Sequence, residues 1–189
     1  DELEEGGRAD ADEREGAAEP RVRRILVALD ASAHSMAALE AAVQLAAELR
    51  AELTGLFVED SNLLKMADLP GTREVGSYSA VSRSIDRPTL ECQLRTLRAV
   101  AYRALAEAAT NARVPYTFRV ERGSVRVEVL KAASDADMVT LGHLGWSAFG
   151  RRGVGSTARH MIGCGAGLVL VARRGFRLGS PVHAVYDGS

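Results

Sequence analysis

Glycines and hydroxyl-bearing residues are concentrated in segment 141–157, which reads LGHLGWSAFGRRGVGST. The segment holds five glycines and three serine or threonine residues. Gly142 and Gly145 have no Cβ, so a ligand can approach their backbone closely. The apolar run 136–141 directly before them reads as a short buried strand that ends at Leu141. A glycine-rich loop at the carboxyl end of a strand is a common binding position in α/β proteins.

The second half of this segment offers groups that can hold phosphate. Gly155, Ser156 and Thr157 begin the next helical pattern, and we expect free backbone N–H groups there, which attract anions. Arg151 and Arg152 add guanidinium groups that pair well with phosphate. No Walker-type lysine follows the glycines, and no Ser-His-Asp order or metal-ligand cluster can be assembled. The pattern therefore predicts binding of a phosphorylated ligand and not its cleavage.

Apolar runs alternating with helical patterns predict the elements that position this loop. Short apolar runs predict strands at 24–29, 53–58, 138–141 and 167–172, and an alternating pattern predicts a fifth strand at 116–121. Helical spacing predicts four helices, at 36–49, 89–112, 125–133 and 156–162, with Ser124 capping the third. The alternation predicts an α/β fold of the Rossmann-like type, a five-stranded and mainly parallel sheet with helices on both faces.

The remaining stretches predict less regular structure. Segment 61–88 has glycine, proline and serine but little periodicity, so we expect an irregular flap with one helical turn at 63–67. Residues 1–20 carry nine acids against two arginines, and we interpret 1–21 as an acidic disordered tail or linker. The domain is expected at 22–175.

Residues 176–189 are expected to be a linker. Its end, VHAVYDGS at 182–189, repeats the pattern of ILVALDAS at 25–32. The hypothesis is that it is the first strand of a second, similar domain, and a coincidental tail is the alternative.

Composition argues against several classes of protein. No apolar run approaches the roughly 20 residues of a membrane span, and the acidic start is unlike a secretory signal. Cys92 and Cys164 have no paired spacing, which indicates reduced thiols in a cytoplasmic protein. Aromatic residues are 5% of the chain, too few for base-stacking platforms, so nucleic-acid binding is not expected.

Taken together, these residues resemble the nucleotide-binding branch of the universal stress protein family. The loop has that family's spacing, Gly-x2-Gly-x9-Gly-(Ser/Thr), at Gly142, Gly145, Gly155 and Ser156. Further agreement lies in DAS at 30–32, FVED at 57–60 and RGS at 122–124, and the resemblance covers residues 22–173. It implies a stress-linked regulatory protein that binds ATP or another adenine nucleotide.

The resemblance also implies positions for the ligand. Asp30 would lie near the adenosine, although a turn or helix-cap role is the alternative. The backbone of Ala28 and Val58 would flank the adenine. The residues that would contact the ribose and phosphates are Leu141, Gly142, Gly145, Arg151, Arg152, Gly155, Ser156 and Thr157. Together with Glu59 and Asp60, Asp30 could hold Mg²⁺ through the phosphates.

The chain departs from the family pattern between the first two glycines. His143 and Leu144 stand there, and with Leu144 a basic contact to phosphate is lost, which Arg151 and Arg152 could replace. Strand 168–172 is expected to pair with a second copy or with a second domain of the same chain. Two other functions stay open at this point: a slow ATPase or phosphotransferase, and a dimerising scaffold that binds no nucleotide.

Overall fold

The computed structural model describes residues 22–69, 73–75, 82–84, 86–144, 154–165 and 167–179. A five-stranded sheet forms its centre, and every neighbouring pair of strands in it is parallel. The predicted fold class is therefore confirmed. The ends of the five strands and four helices lie within about three residues of those predicted from apolar spacing.

The strands and helices have the following bounds. The strands are β1 (Arg24–Leu29), β2 (Glu52–Asp60), β3 (Arg73–Val75), β4 (Ser82–Ser84), β5 (Tyr116–Gly123), β6 (Met138–Gly142) and β7 (Leu168–Ala172). The helices are α1 (Ala33–Leu49), α2 (Ser61–Ala67), α3 (Arg87–Asn111), α4 (Val125–Ala133) and α5 (Ser156–Gly163).

The strand order is β5-β2-β1-β6-β7, so β1 lies at the centre of the sheet. Its apolar run is covered on both faces, because Ile25, Val27 and Leu29 pack in one core and Leu26 packs in the other. Helices α1 and α3 cover the first face, and α4 and α5 cover the second. The chain leaves β1 toward β2 and later returns to the other side of β1 as β6. This reversal of direction lies at the carboxyl ends of β1 and β6, where ligands bind in open α/β sheets.

Segment 61–88 is more regular than the sequence indicated. The predicted single turn is a helix, α2, which begins directly after β2 because the Asp60 carboxylate accepts a hydrogen bond from the N–H of Asn62. Leu64 of α2 is buried against Leu90 and Leu94 of α3, which fixes α2 to α3. Strands β3 and β4 pair antiparallel within the same segment.

The predicted tail 1–21 and the echo at 182–189 lie outside the described residues, so both stay predictions. Residues 173–179 follow β7 without helix or strand. Among the helices of the described ranges, none has both the length and the apolar character that a bilayer crossing requires.

Candidate functional site

A cavity of about 390 Å³ opens at the carboxyl edge of the sheet, on the face covered by α4 and α5. Its volume is in the usual range for small-molecule sites. The structure brings eight of the predicted site residues to its walls. They are Ala28, Asp30, Val58, Leu141, Gly142, Gly155, Ser156 and Thr157. Gly145, Arg151 and Arg152 lie outside the described residues, so their predicted contacts remain untested.

The recess follows from the register of the strands. The pairing of β1 with β2 ends at Leu29 and Phe57, whereas β2 stays paired with β5 up to Asp60. Three residues of β2, from Val58 on, therefore extend past the end of β1. On the other side, β1 and β6 pair only as far as Val27 and Thr140. The central strand thus ends below β2 and is not paired with β6 over its last two residues, which leaves a gap above it.

Asp30 occupies the floor of this gap, immediately after β1. Its Oδ1 accepts a hydrogen bond of 2.9 Å from the N–H of Ser32, which forms a tight turn. Ala31 within this turn has φ of 61°, a conformation that costs a non-glycine residue about 1 kcal/mol. Ser32 in turn caps α1 by accepting from the N–H of Ser35 at 3.1 Å. Asp30 is therefore a turn residue that also lines the cavity, so the two alternatives for it are compatible.

Gly142 lies where the end of β6 meets the first turn of α1. A Cβ at this position would lie 2.9 Å from the carbonyl carbon of His34 and 2.9 Å from the nitrogen of Ser35. Both are backbone atoms, which cannot rotate away. The sequence predicted that Gly142 is needed for close approach of a ligand, but the structure shows a need within the protein itself.

The loop after β6 is held together at its base by two short hydrogen bonds. The N–H of His143 donates to Ala172 O at 2.7 Å, and the N–H of Gly155 donates to His143 O at 2.7 Å. The expectation that Gly155 offers a free N–H is therefore wrong, because that group is already bonded. In the described part of the chain, no group accepts from the N–H of Ser156 or Thr157, and no side chain caps α5. These two amides remain suited to an anion.

Glu59 does not join the two aspartates of the cavity, which corrects the predicted trio of carboxylates. Side chains alternate along β2, so Val58 and Asp60 face the cavity while Glu59 faces α3. Its buried carboxylate accepts from Arg122 at 2.7 and 3.0 Å, and it pairs with Arg98 at 3.4 Å. Two guanidinium groups occupy Glu59, and it is not available for Mg²⁺.

Four polar residues of the cavity were missed by the sequence prediction: Ser35, Asn62, Ser124 and Arg126. Ser35 belongs to α1 and Asn62 to α2, and the other two lie at the start of α4. Arg126 is exposed and is the cation that lines the described part of the cavity. Ser124 occupies the N-cap position of α4 as predicted, but its side chain makes no capping hydrogen bond. Leu63, Leu94 and Leu97 add an apolar wall on the same side.

A metal-binding cluster of side chains is absent from the described ranges. No three His, Cys, Asp or Glu side chains there lie close enough together to hold a metal ion. The rings of His34 and His143 have centroids 6.1 Å apart, and His34 Nδ1 accepts from the N–H of Arg174 at 3.2 Å. His34 thus ties α1 to the segment after β7, and this contact gives it a structural role.

Comparison with known proteins agrees with this fold. The model of the universal stress protein family matches residues 21–173, and a search of curated proteins found no match. The universal stress protein UspA from Lactobacillus plantarum is similar in structure, with 26% identity, a TM-score of 0.60, and coverage of 81% of this chain and 99% of that one.

Two more distant structures share the fold. One is a universal stress protein in complex with cAMP, with 18% identity, a TM-score of 0.56, and coverage of 80% of this chain and 97% of that one. The other, from Arabidopsis thaliana, has AMP bound, with 11% identity, a TM-score of 0.53, and coverage of 80% and 92%. Because the family model spans most of the chain, this protein belongs to the universal stress protein family.

Proposed function

We propose that this protein binds an adenine nucleotide in the cavity above β1 and acts as a regulatory protein of the stress response. The observation that carries the proposal is the convergence of Asp30, Gly142 and the first turn of α5 on one recess. Uncapped amides of α5 suit phosphate, and a carboxylate at the end of β1 suits ribose hydroxyls. The bound AMP and cAMP of two structural neighbours support this ligand class.

The carboxylates of the cavity favour binding of the nucleotide over its hydrolysis. Hydrolysis requires a general base within hydrogen-bond reach of the attacking water. Asp30 and Asp60 line the cavity, and each accepts a backbone N–H at 2.9 Å, from Ser32 and Asn62. Both are thereby held as fixed elements of a turn and a helix cap. Any Mg²⁺ in this site would be held mainly by the phosphates of the ligand.

Calorimetric titration of the purified protein with AMP, ATP and cAMP tests the proposal, with Ser156→Glu as the informative variant. A carboxylate at the start of α5 is favourable for the helix but repels phosphate. We expect the Kd of ATP to rise at least about tenfold, with no loss of melting temperature. Thr89→Glu is the matched control, because Thr89 is an exposed residue in the first turn of α3, outside the cavity.

The other possible results of this titration would indicate a different function or a different binding site. If no adenine nucleotide binds, the proposal is wrong, and a dimerising scaffold without nucleotide becomes the better description. Phosphate release that Ser156→Glu abolishes would instead indicate a slow ATPase or phosphotransferase. Equal weakening by Ser156→Glu and Thr89→Glu would place the ligand outside this cavity.

We also propose that β7 pairs with a partner, either a second copy or a second domain of the same chain. In the described sheet β7 is an outer strand, and Leu168 on it is 52% exposed. An apolar strand at a sheet edge favours pairing. Light scattering should show a dimer, and Leu168→Lys should reduce it to a monomer.

We place the proposed nucleotide binding in the cytoplasm, in line with the reduced thiols expected from the sequence.

A further inference from the structure

The two ends of the cavity differ in their chemistry, which orients a nucleotide within it. This inference rests on the proposed function. The amides of Ser156 and Thr157 lie at the β6 side and suit the phosphates. Asp30, on the central strand, suits the ribose. Since β2 lies on the opposite side of β1 from β6, the base extends toward Val58 and the α2 helix that follows β2.

Asn62 is positioned to meet the edge of that base. It lies in the first turn of α2 and lines the cavity, and Asp60 holds its backbone N–H at 2.9 Å. Buried Leu64 fixes the same helix to α3. In the described part of the chain, no group forms a hydrogen bond with the Asn62 side-chain amide. A fixed backbone thus presents a donor and an acceptor that no group among the described residues uses.

An asparagine amide distinguishes purines by the order of donor and acceptor. It matches the N6 amino group and N7 of adenine with two parallel hydrogen bonds. Guanine and hypoxanthine carry an oxygen at C6, so the Asn oxygen would face another acceptor. We propose that Asn62 is the specificity-determining residue of the site and that it selects adenine by reading its amino-bearing edge.

Titration with AMP and inosine monophosphate tests the inference, because the two ligands share phosphate and ribose and differ at C6 of the base. We expect wild-type protein to bind AMP about tenfold more tightly than inosine monophosphate. Asn62→Ala should raise the Kd of AMP about tenfold, leave that of inosine monophosphate within about twofold, and so abolish the preference.

Asn111→Ala is the matched control. It removes the same amide from an exposed helical position, the last residue of α3, which does not line the cavity. Its preference for AMP should equal that of the wild-type protein. Melting temperatures of both variants check that they are folded.

Three results would overturn the inference while the proposed function stands: a wild-type protein that binds both ligands equally, an Asn62→Ala variant that keeps the preference, and a variant that loses both ligands equally. The last would mean that Asn62 supports α2 and does not read the base. A wild-type protein that binds neither ligand removes the proposed function itself, and the inference with it.

Discussion

Replacement of Gly142 by alanine tests whether the wall between β6 and α1 is as tight as the structure indicates. The added Cβ would lie 2.9 Å from two backbone atoms, of His34 and Ser35. Comfortable contacts between such atoms are about 3.5 to 4.0 Å. Neither backbone atom can move by a side-chain rotation, so β6 and the first turn of α1 must separate by several tenths of an ångström.

Such overpacking usually lowers the free energy of unfolding by about 1 to 3 kcal/mol. In a domain of this size, each kcal/mol shifts the melting temperature by about 2 to 4 °C. We therefore expect Gly142→Ala to melt about 2 to 12 °C lower, as measured by circular dichroism. The same separation moves Asp30 and the β6 loop apart, so calorimetry should show weaker binding of AMP.

Gly163→Ala is the control for the glycine substitution. A Cβ there meets no atom within 4 Å, and Gly163 is the last residue of α5. Its melting temperature should stay within about 2 °C of the wild-type value. A Gly142→Ala variant that matches this control in both melting temperature and AMP affinity would refute the argument from backbone contact.

Three other predictions concern the electrostatics and the backbone of the fold. Glu59→Gln weakens the buried contact with Arg122 and should cost about 1 to 2 kcal/mol in urea unfolding, whereas Glu121→Gln, in an exposed pair, should cost less than about 0.5 kcal/mol. The backbone N–H groups of Arg23 and Arg24 donate hydrogen bonds to the Asp137 carboxylate and lower its pKa from the ordinary value of an aspartate. Its contribution to stability is therefore present above about pH 4 and is lost as pH falls through the folded-state pKa, so the urea midpoints of wild type and Asp137→Asn should differ at pH 7 and converge as the pH falls below that pKa. Arg50 ends α1 with φ of 54°, and Arg50→Gly should raise the free energy of unfolding by about 0.5 to 1 kcal/mol.

The sheet could be predicted from sequence because its strands are apolar runs, except β5, in which polar and apolar residues alternate. A strand such as β1 is buried on both faces, which agrees with the unbroken apolar run of Ile25, Leu26 and Val27. The start of α2 was harder to predict, because helical spacing needs more than two turns to be clear. Asp60 followed by Ser61 and Asn62 was the available signal, since an acidic residue before a short apolar run is a helix cap.

The site could be predicted only in part, for a similar reason. Asp30 follows a predicted strand and Ser156 begins a predicted helix, so the sequence places both at the carboxyl edge of the sheet. Asn62 and Arg126 enter the cavity because α2 and α4 pack at that edge, and packing between elements distant in sequence leaves no local pattern. The hydrogen bond that occupies Gly155 joins two ends of one loop, and it could not be read from the glycine spacing.

The position of the cavity depends on relative strand length more than on the glycine motif. β1 ends at Leu29, whereas β2 continues to Asp60 with β5 as its support. β1 and β6 also stop pairing two residues before β1 ends. If β1 continued past Leu29, its backbone would fill the recess, even if every glycine of the motif were kept. The Asp30 turn, with Ala31 at positive φ, is therefore the feature that keeps the recess open, because it takes the chain out of the sheet and into α1.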